Sequence, residues 1–152
     1  MSVAERLQAL GIVLPASPPP LAIYRPAVRT RDQVYVSGQL ATRDGKIIHP
    51  GRLGAGVSIE QGKEAARVCA INALAAVQAL LGSLEGVRVI RTVGYVASTP
   101  EFTDQPQVVN GASELLRDLL GEEHGVGARL ALGVASLPAN SPVEVELLLE
   151  ID

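Results

Sequence analysis

The chain has 152 residues, of which 47% are hydrophobic, 19% charged and 3% aromatic. This suits one domain with an aliphatic core and argues against intrinsic disorder. Thirteen Lys and Arg against sixteen Asp and Glu give a net charge of −3, which speaks against a duplex-binding surface, and the scarce aromatics offer few stacking platforms for single strands.

One cysteine, Cys69, excludes an internal disulfide, and His49 and His124 stand in no metal-ligand spacing. No metal site and no cofactor are expected. The first residues carry Glu5 and Arg6 without a long apolar run, unlike a signal peptide. No stretch supplies about 18 consecutive apolar residues for a membrane span, so a cytoplasmic, membrane-free protein is expected.

Val3, Leu7 and Leu10 fall at helical spacing and predict a short amphipathic helix. Pro15, Pro18, Pro19 and Pro20 then forbid helix and favour an extended polyproline arm across the surface. One domain over 1–152 is expected, with 1–20 forming this helix and arm. Leu21 to Val28 is read as an edge strand because Pro26 cannot donate to a ladder. Thr30 to Asp32 is a turn, and Gln33 to Leu40 alternates as a strand, completing a hairpin. Residues 41–57, rich in Gly and Arg, are expected to be irregular.

Ser58 to Gln61 reads as a capping box opening the main helix. Its stripe runs through Ala65, Cys69, Ala73, Ala76 and Leu80, with Gly82 as terminator. Val87 to Ser98 is a strand. Asp104 to Gln107, with Pro106 tolerated in the first turn, opens a second helix expected to end at Gly121. Gly127 to Ala135 and Pro142 to Ile151 are the closing strands. The order is β-β-α-β-α-β-β, an α+β domain.

In the last strand Val143, Val145, Leu147 and Leu149 alternate with Glu144, Glu146, Leu148 and Glu150. The apolar set is expected under the helices. In the preceding strand Leu130, Leu132 and Val134 alternate with Arg129, Ala131, Gly133 and Ala135. Arg129 and Glu144 are both expected on the face away from the helices, which would then need a second cover.

Several residues invite chemistry. Arg129, among small neighbours, suits a bidentate carboxylate clamp, or else an ion pair with Glu144 or Glu146. Glu144 and Glu146 suit acid–base work, or else a solvated strand face. Ser37 sits in Val36-Ser37-Gly38-Gln39, which is not a nucleophile elbow, and reads as a hydrogen-bond donor to a ligand. Gly51, Gly54 and Gly56 lack a phosphate-loop spacing and read as a plain loop. Cys69 reads as a core thiol.

These residues converge on a resemblance. Ala128-Arg129, Leu137-Pro138 and Val143-Glu144-Val145 are similar to the C-terminal signature of the RidA/YjgF superfamily of enamine/imine deaminases, which includes proteins formerly called L-PSP endoribonucleases. Val36-Ser37-Gly38-Gln39, Tyr24 and Asn110 in Val109-Asn110-Gly111-Ala112 resemble its other motifs, and the resemblance covers Tyr24 to Asp152. It implies a chorismate-mutase-like fold, with helices on one face of a mixed sheet. It also implies a homotrimer with a central barrel and clefts between subunits. It further implies hydrolysis of imines derived from amino acids to 2-oxo acids and ammonia, without a cofactor. Arg129 would clamp the carboxylate of a small substrate, Glu144 would activate water, and Tyr24, Ser37 and Asn110 would shape the cleft. Leu130 and Ala131 depart from the family pattern. The competing expectations are a non-catalytic binder of carboxylate metabolites in the same clefts, and an endoribonuclease, which the acidic balance opposes.

Overall fold

The computed structural model describes residues 1–152 except Pro18 and Leu21. Ser2 caps helix α1, Val3–Ala9, through a reciprocal bond with Glu5. The Arg6 guanidinium donates to the Leu119 carbonyl at 3.3 Å, and the Val3 amide donates to Glu85 at 2.6 Å. The N-terminal helix is thereby tied to the body of the domain. No helix or strand crosses Pro15, Pro19 or Pro20; Pro18 of the expected arm lies outside the described residues.

The expected first strand is shorter than its sequence signal. Strand β1 is Ala27–Thr30 and begins only after Pro26, whose missing N–H cannot enter the ladder; Leu21 of that expectation lies outside the described residues. Strand β2 is Gln33–Leu40, joined to β1 by the tight turn at Arg31 and Asp32.

The stretch expected to be irregular contains a hairpin, β3 Thr42–Arg43 with β4 Lys46–Ile47. Its turn is Asp44-Gly45, both with positive φ, the Asp-Gly pairing that two-residue hairpin turns favour. It also contains β5, Arg52–Leu53, and β6, Gly56–Val57.

Helix α2, Ile59–Leu81, has the Ser58/Gln61 capping box and ends at Gly82 in the left-handed region, as its sequence predicts. By length and composition it could cross a membrane, a feature the sequence reading passed over. Yet 61% of its most apolar window is buried inside the domain, where Cys69, Ala73, Leu74 and Val77 are fully enclosed. It is the core helix.

Strand β7 is Val87–Ala97, and helix α3 is Gln105–Gly125. Helix α3 runs past its expected end: Gly121 breaks the helical geometry at φ 87, ψ 170, but helical turns resume to Gly125. Asp104 stands at its start without making a side-chain cap. Strands β8, Ala128–Val134, and β9, Val143–Ile151, follow, with a 3-10 turn at Pro138–Asn140 between them.

The five long strands form one sheet in the order β1-β2-β9-β7-β8. Within this sheet β7 and β8 are the parallel pair; β9, the central strand, is antiparallel to β2 and to β7. Helix α3 supplies the crossover from β7 to β8, and α2 the crossover from β2 to β7. The helices share one face of the sheet, over Val34, Val36, Val145, Leu147 and Leu149. Strand β9 alternates as expected, with Val143, Val145, Leu147 and Leu149 buried and the intervening residues half-buried. Gly94 of β7 lies so close to α3 that a Cβ there would overlap Val109.

The face assignment of β8 corrects the sequence reading. Thr92 of β7 is opposite both Leu147 and Arg129, so Arg129 lies on the helix side; Tyr95 is opposite both Glu144 and Leu132, so Leu132 lies on the far side. The alternation was right but its sense was inverted. Residues Arg129, Ala131 and Gly133 face the helices, and the uncovered face carries Leu130, Leu132 and Val134. The sequence could not fix this, because Leu130, Leu132 and Val134 look like core residues while β8 is an edge strand whose helix side is only partly covered.

Candidate functional site

The two charged candidates stand apart. The Arg129 guanidinium, exposed at the sheet edge, donates to Asn110 Oδ1 at 2.7 Å and to Ser113 Oγ at 3.3 Å. Asn110 and Ser113 are three residues apart on α3, one above the other on a single helix face. They hold one arm of the planar fork and leave the other for a ligand. Among the described residues Arg129 makes no ion pair, and Glu144 and Glu146 project from the opposite side of the sheet. The expected alternative of an Arg129 ion pair with either glutamate is therefore overturned within one chain. Ser113 was missed by the sequence reading; its position one turn after Asn110 was the available signal.

The second group forms around an irregularity in β2. Val36 is opposite Leu147 and Gln39 is opposite Val145, so β2 holds one extra residue at Ser37-Gly38. Such a bulge re-aims side chains and backbone beside a site. Gly38 lies against the Glu144 side chain: a Cβ there would overlap the carboxylate and push it aside. The Ser37 amide donates to the Pro26 carbonyl at 2.8 Å, and its hydroxyl donates to the Arg25 carbonyl at 2.6 Å. These two bonds pin the segment bearing Tyr24 against the bulge. They also correct the role expected for Ser37. Its proton is spent on Arg25, so towards a ligand it offers lone pairs.

Tyr24 and Gly38 line a cavity of about 320 Å³, together with Pro19, Pro20, Leu40 and Ile47. Asn72 closes the cavity from α2, donating to the Leu40 and Thr42 carbonyls at 3.0 and 2.9 Å. Glu144 is half-buried beside it. Burial, and then the charge of Glu146, push its pKa above the ordinary carboxylate value. Glu146 accepts a hydrogen bond from Tyr95, which raises the Tyr95 pKa to about 12. A carboxylate kept short of solvent and poised upward is suited to taking a proton from water.

Leu130 is 54% exposed on the uncovered face, on the far side of the sheet from Arg129. Its departure from the family pattern therefore leaves the surroundings of Arg129 unaltered. Ala131 lies on the same side as Arg129 and packs against the core. Of the three glycines, Gly51 precedes β5, Gly54 lies in the turn between β5 and β6, and Gly56 opens β6; the segment docks where the Thr99 amide donates to the Leu53 carbonyl. Cys69 is buried, with its thiol on the Val143 carbonyl, and burial raises its pKa well above the ordinary value. Among the described residues, no three His, Cys, Asp or Glu side chains gather at metal-ligating distance.

Comparison with known proteins identifies the family and the fold. A family model described as YjgF/chorismate mutase-like, putative endoribonuclease, matches residues 4–151. Protein TCP17 of Trypanosoma cruzi is 44% identical over 151 residues, spanning 99% of this chain and 94% of TCP17. A crystal structure of a protein of unknown function from Agrobacterium tumefaciens is 45% identical, with a TM-score of 0.91 over 99% of this chain and 92% of that one. The crystal structure of a "putative endoribonuclease" from Shewanella oneidensis has a TM-score of 0.95 at 30% identity, covering 99% of this chain and all (100%) of that one. The chain belongs to the YjgF/RidA family and has its YjgF/chorismate-mutase-like fold.

Proposed function

We propose that this protein hydrolyses reactive imines of amino acids to 2-oxo acids and ammonia, in clefts formed between copies of the chain in a homotrimer. The observation that carries this reading is the division of the site. Arg129 with Asn110 forms one half on the helix side of the sheet edge, and Glu144 with Gly38, Ser37 and Tyr24 forms the other on the opposite side. One chain presents two half-sites that cannot close on the same small molecule. A second copy brings them together. The uncovered sheet face supports such assembly, since Leu130, Tyr35 and Val28 are 54%, 51% and 47% exposed, an apolar surface that favours a partner over water.

The chemistry then follows from the groups present. The open arm of the Arg129 fork accepts the substrate carboxylate and fixes the C=N carbon opposite Glu144 of the neighbouring copy. Glu144 takes a proton from water as the oxygen adds to that carbon. The nitrogen gains that proton, giving a carbinolamine; Glu144 then takes the proton of its hydroxyl and passes it to the amine nitrogen, so that the C=O bond forms as the C–N bond breaks and ammonia leaves a 2-oxo acid. The test is ammonia release from freshly generated 2-iminopropanoate at trace protein concentration. Acceleration over the buffer rate supports the reading; a rate equal to buffer contradicts it and leaves a binding protein.

A further inference from the structure

We propose that the cavity under the proline-rich arm is the subsite for the substrate's side chain, and that it selects 2-imino acids with branched aliphatic side chains. This rests on the deaminase reading above and extends it to substrate class.

The cavity adjoins the reacting groups, since Gly38 forms part of its wall and at the same time touches the Glu144 carboxylate. Glu144 does not itself line the cavity, and a substrate carbon placed at its carboxylate reaches this space past Gly38, which has no side chain to bar the way. The cavity volume of about 320 Å³ is at the low end of ligand pockets, roughly 300–1,000 Å³, and far exceeds what a methyl group fills. No charged side chain lines it among the described residues. Of its polar side chains, Asn72 donates to the Leu40 and Thr42 carbonyls and Gln39 to the Ser37 carbonyl, and the others, Tyr24 and Thr42, are neutral hydroxyls. A second carboxylate or an ammonium entering it would lose its water and meet no opposite charge.

Most of the wall is apolar, formed by Pro19, Pro20, Pro26, Leu40 and Ile47 with the Tyr24 ring. The arm and the β3–β4 hairpin thus gain a role that the reacting groups alone do not give them. The Asp44-Gly45 turn brings Ile47 back beside Thr42, and the prolines narrow the opposite side with little conformational freedom to lose. The substrate's orientation is then fixed at three points: carboxylate on Arg129, C=N at Glu144, and the side chain under the arm.

Titration calorimetry of the full-length protein with four 2-oxo acids tests this without depending on turnover. The expected result is that 4-methyl-2-oxopentanoate binds about 10- to 50-fold tighter than pyruvate, at a few-fold per buried carbon, with 2-oxobutyrate between them and 2-oxoglutarate no tighter than pyruvate. Ile47→Phe, which fills the cavity, should shrink the ratio of branched-acid to pyruvate affinity towards one. Pro19→Gly with Pro20→Gly, which loosens the roof and leaves the hairpin intact, should shrink it too, and keeps the test open if Ile47→Phe does not fold. Equal affinities for pyruvate and the branched acid, or tightest binding of 2-oxoglutarate, overturn the subsite while the deaminase reading stands. A ratio unchanged in a folded variant of either kind overturns its placement. Failure of all four acids to bind overturns the deaminase reading itself, and the subsite with it.

Discussion

Arg129 and Glu144 lie on opposite faces of one sheet: Thr92 aligns Arg129 with the core residue Leu147, whereas Tyr95 aligns Glu144 with Leu132 on the uncovered face. Every functional expectation for this protein follows from that separation. Two residues that never meet within a chain do not stabilise each other there, and their substitution should be felt in ligand binding and turnover.

Arg129→Lys retains the charge but loses the planar fork. It should weaken 2-oxobutyrate binding by about 1.5–3 kcal/mol, the range for hydrogen bonds to charged groups. The melting temperature should move little, because Arg129 is exposed and its contacts are hydrogen bonds to Asn110 and Ser113. Calorimetry and thermal unfolding of the same sample check both. Unchanged affinity with a large fall in melting temperature would assign Arg129 to structure alone.

Glu144→Gln should lower turnover of 2-iminopropanoate by roughly 10²–10⁴-fold, the usual contribution of a positioned base. Its effect on stability has the opposite sign to a lost contact. Burial and Glu146 raise the Glu144 pKa in the folded state, so the folded protein binds the proton more tightly than the unfolded chain. Stability from this group is fully present below its ordinary carboxylate pKa and is lost as pH rises through the raised one. At pH 7 the Gln variant should therefore melt at a higher temperature than the parent, and the gap should close towards pH 4. Melting curves across that range decide it; a variant less stable at pH 7 would contradict the assignment of strain to the ionised form.

Cys69 should be inert. Its thiol is buried against the Val143 carbonyl with its pKa raised, so the native protein should not react with a thiol reagent within minutes, while the unfolded protein reacts at once. Cys69→Ser should leave deaminase activity nearly unchanged. Fast labelling of the folded protein would show that α2 opens far more readily than its packing implies.

Much of the fold is legible in the sequence because the signals are local. The Ser58 capping box, the Gly82 terminator and the alternation of β9 each fix an element without reference to the rest. The β3–β4 hairpin is signalled by Asp44-Gly45, but its strands of two residues each are too short to show an alternation. The sense of β8 was not readable. An edge strand with leucines on one side and small residues on the other looks core-facing on the leucine side, and only the pairing with β7 shows that those leucines face outward. The bulge at Ser37-Gly38 is likewise invisible in the alternation of β2, since it appears only as a shift against β9. The candidate residues were found by motif; their division into two half-sites came from register.

The outward leucines carry a prediction about assembly. Light scattering should give about three times the chain mass. Leu130→Asp places a charge on the uncovered face at a position that is 54% exposed in the single chain. It should shift the protein towards monomer while leaving the helical signal of each domain intact. A parent protein that is monomeric at micromolar concentration would contradict the proposed clefts.

The most direct test of the divided site mixes two disabled proteins. Arg129→Ala and Glu144→Ala are each expected to show no deaminase activity alone. Unfolded together in equal amounts and refolded, they should form trimers in which some clefts pair an intact Arg129 from one copy with an intact Glu144 from the next. Random mixing places both residues in about a quarter of the clefts, so about a quarter of the parent rate of ammonia release from 2-iminopropanoate should return. A mixture as inactive as its components, from variants that refold to the parent's assembly state, would show that Arg129 and Glu144 do not share a cleft between copies.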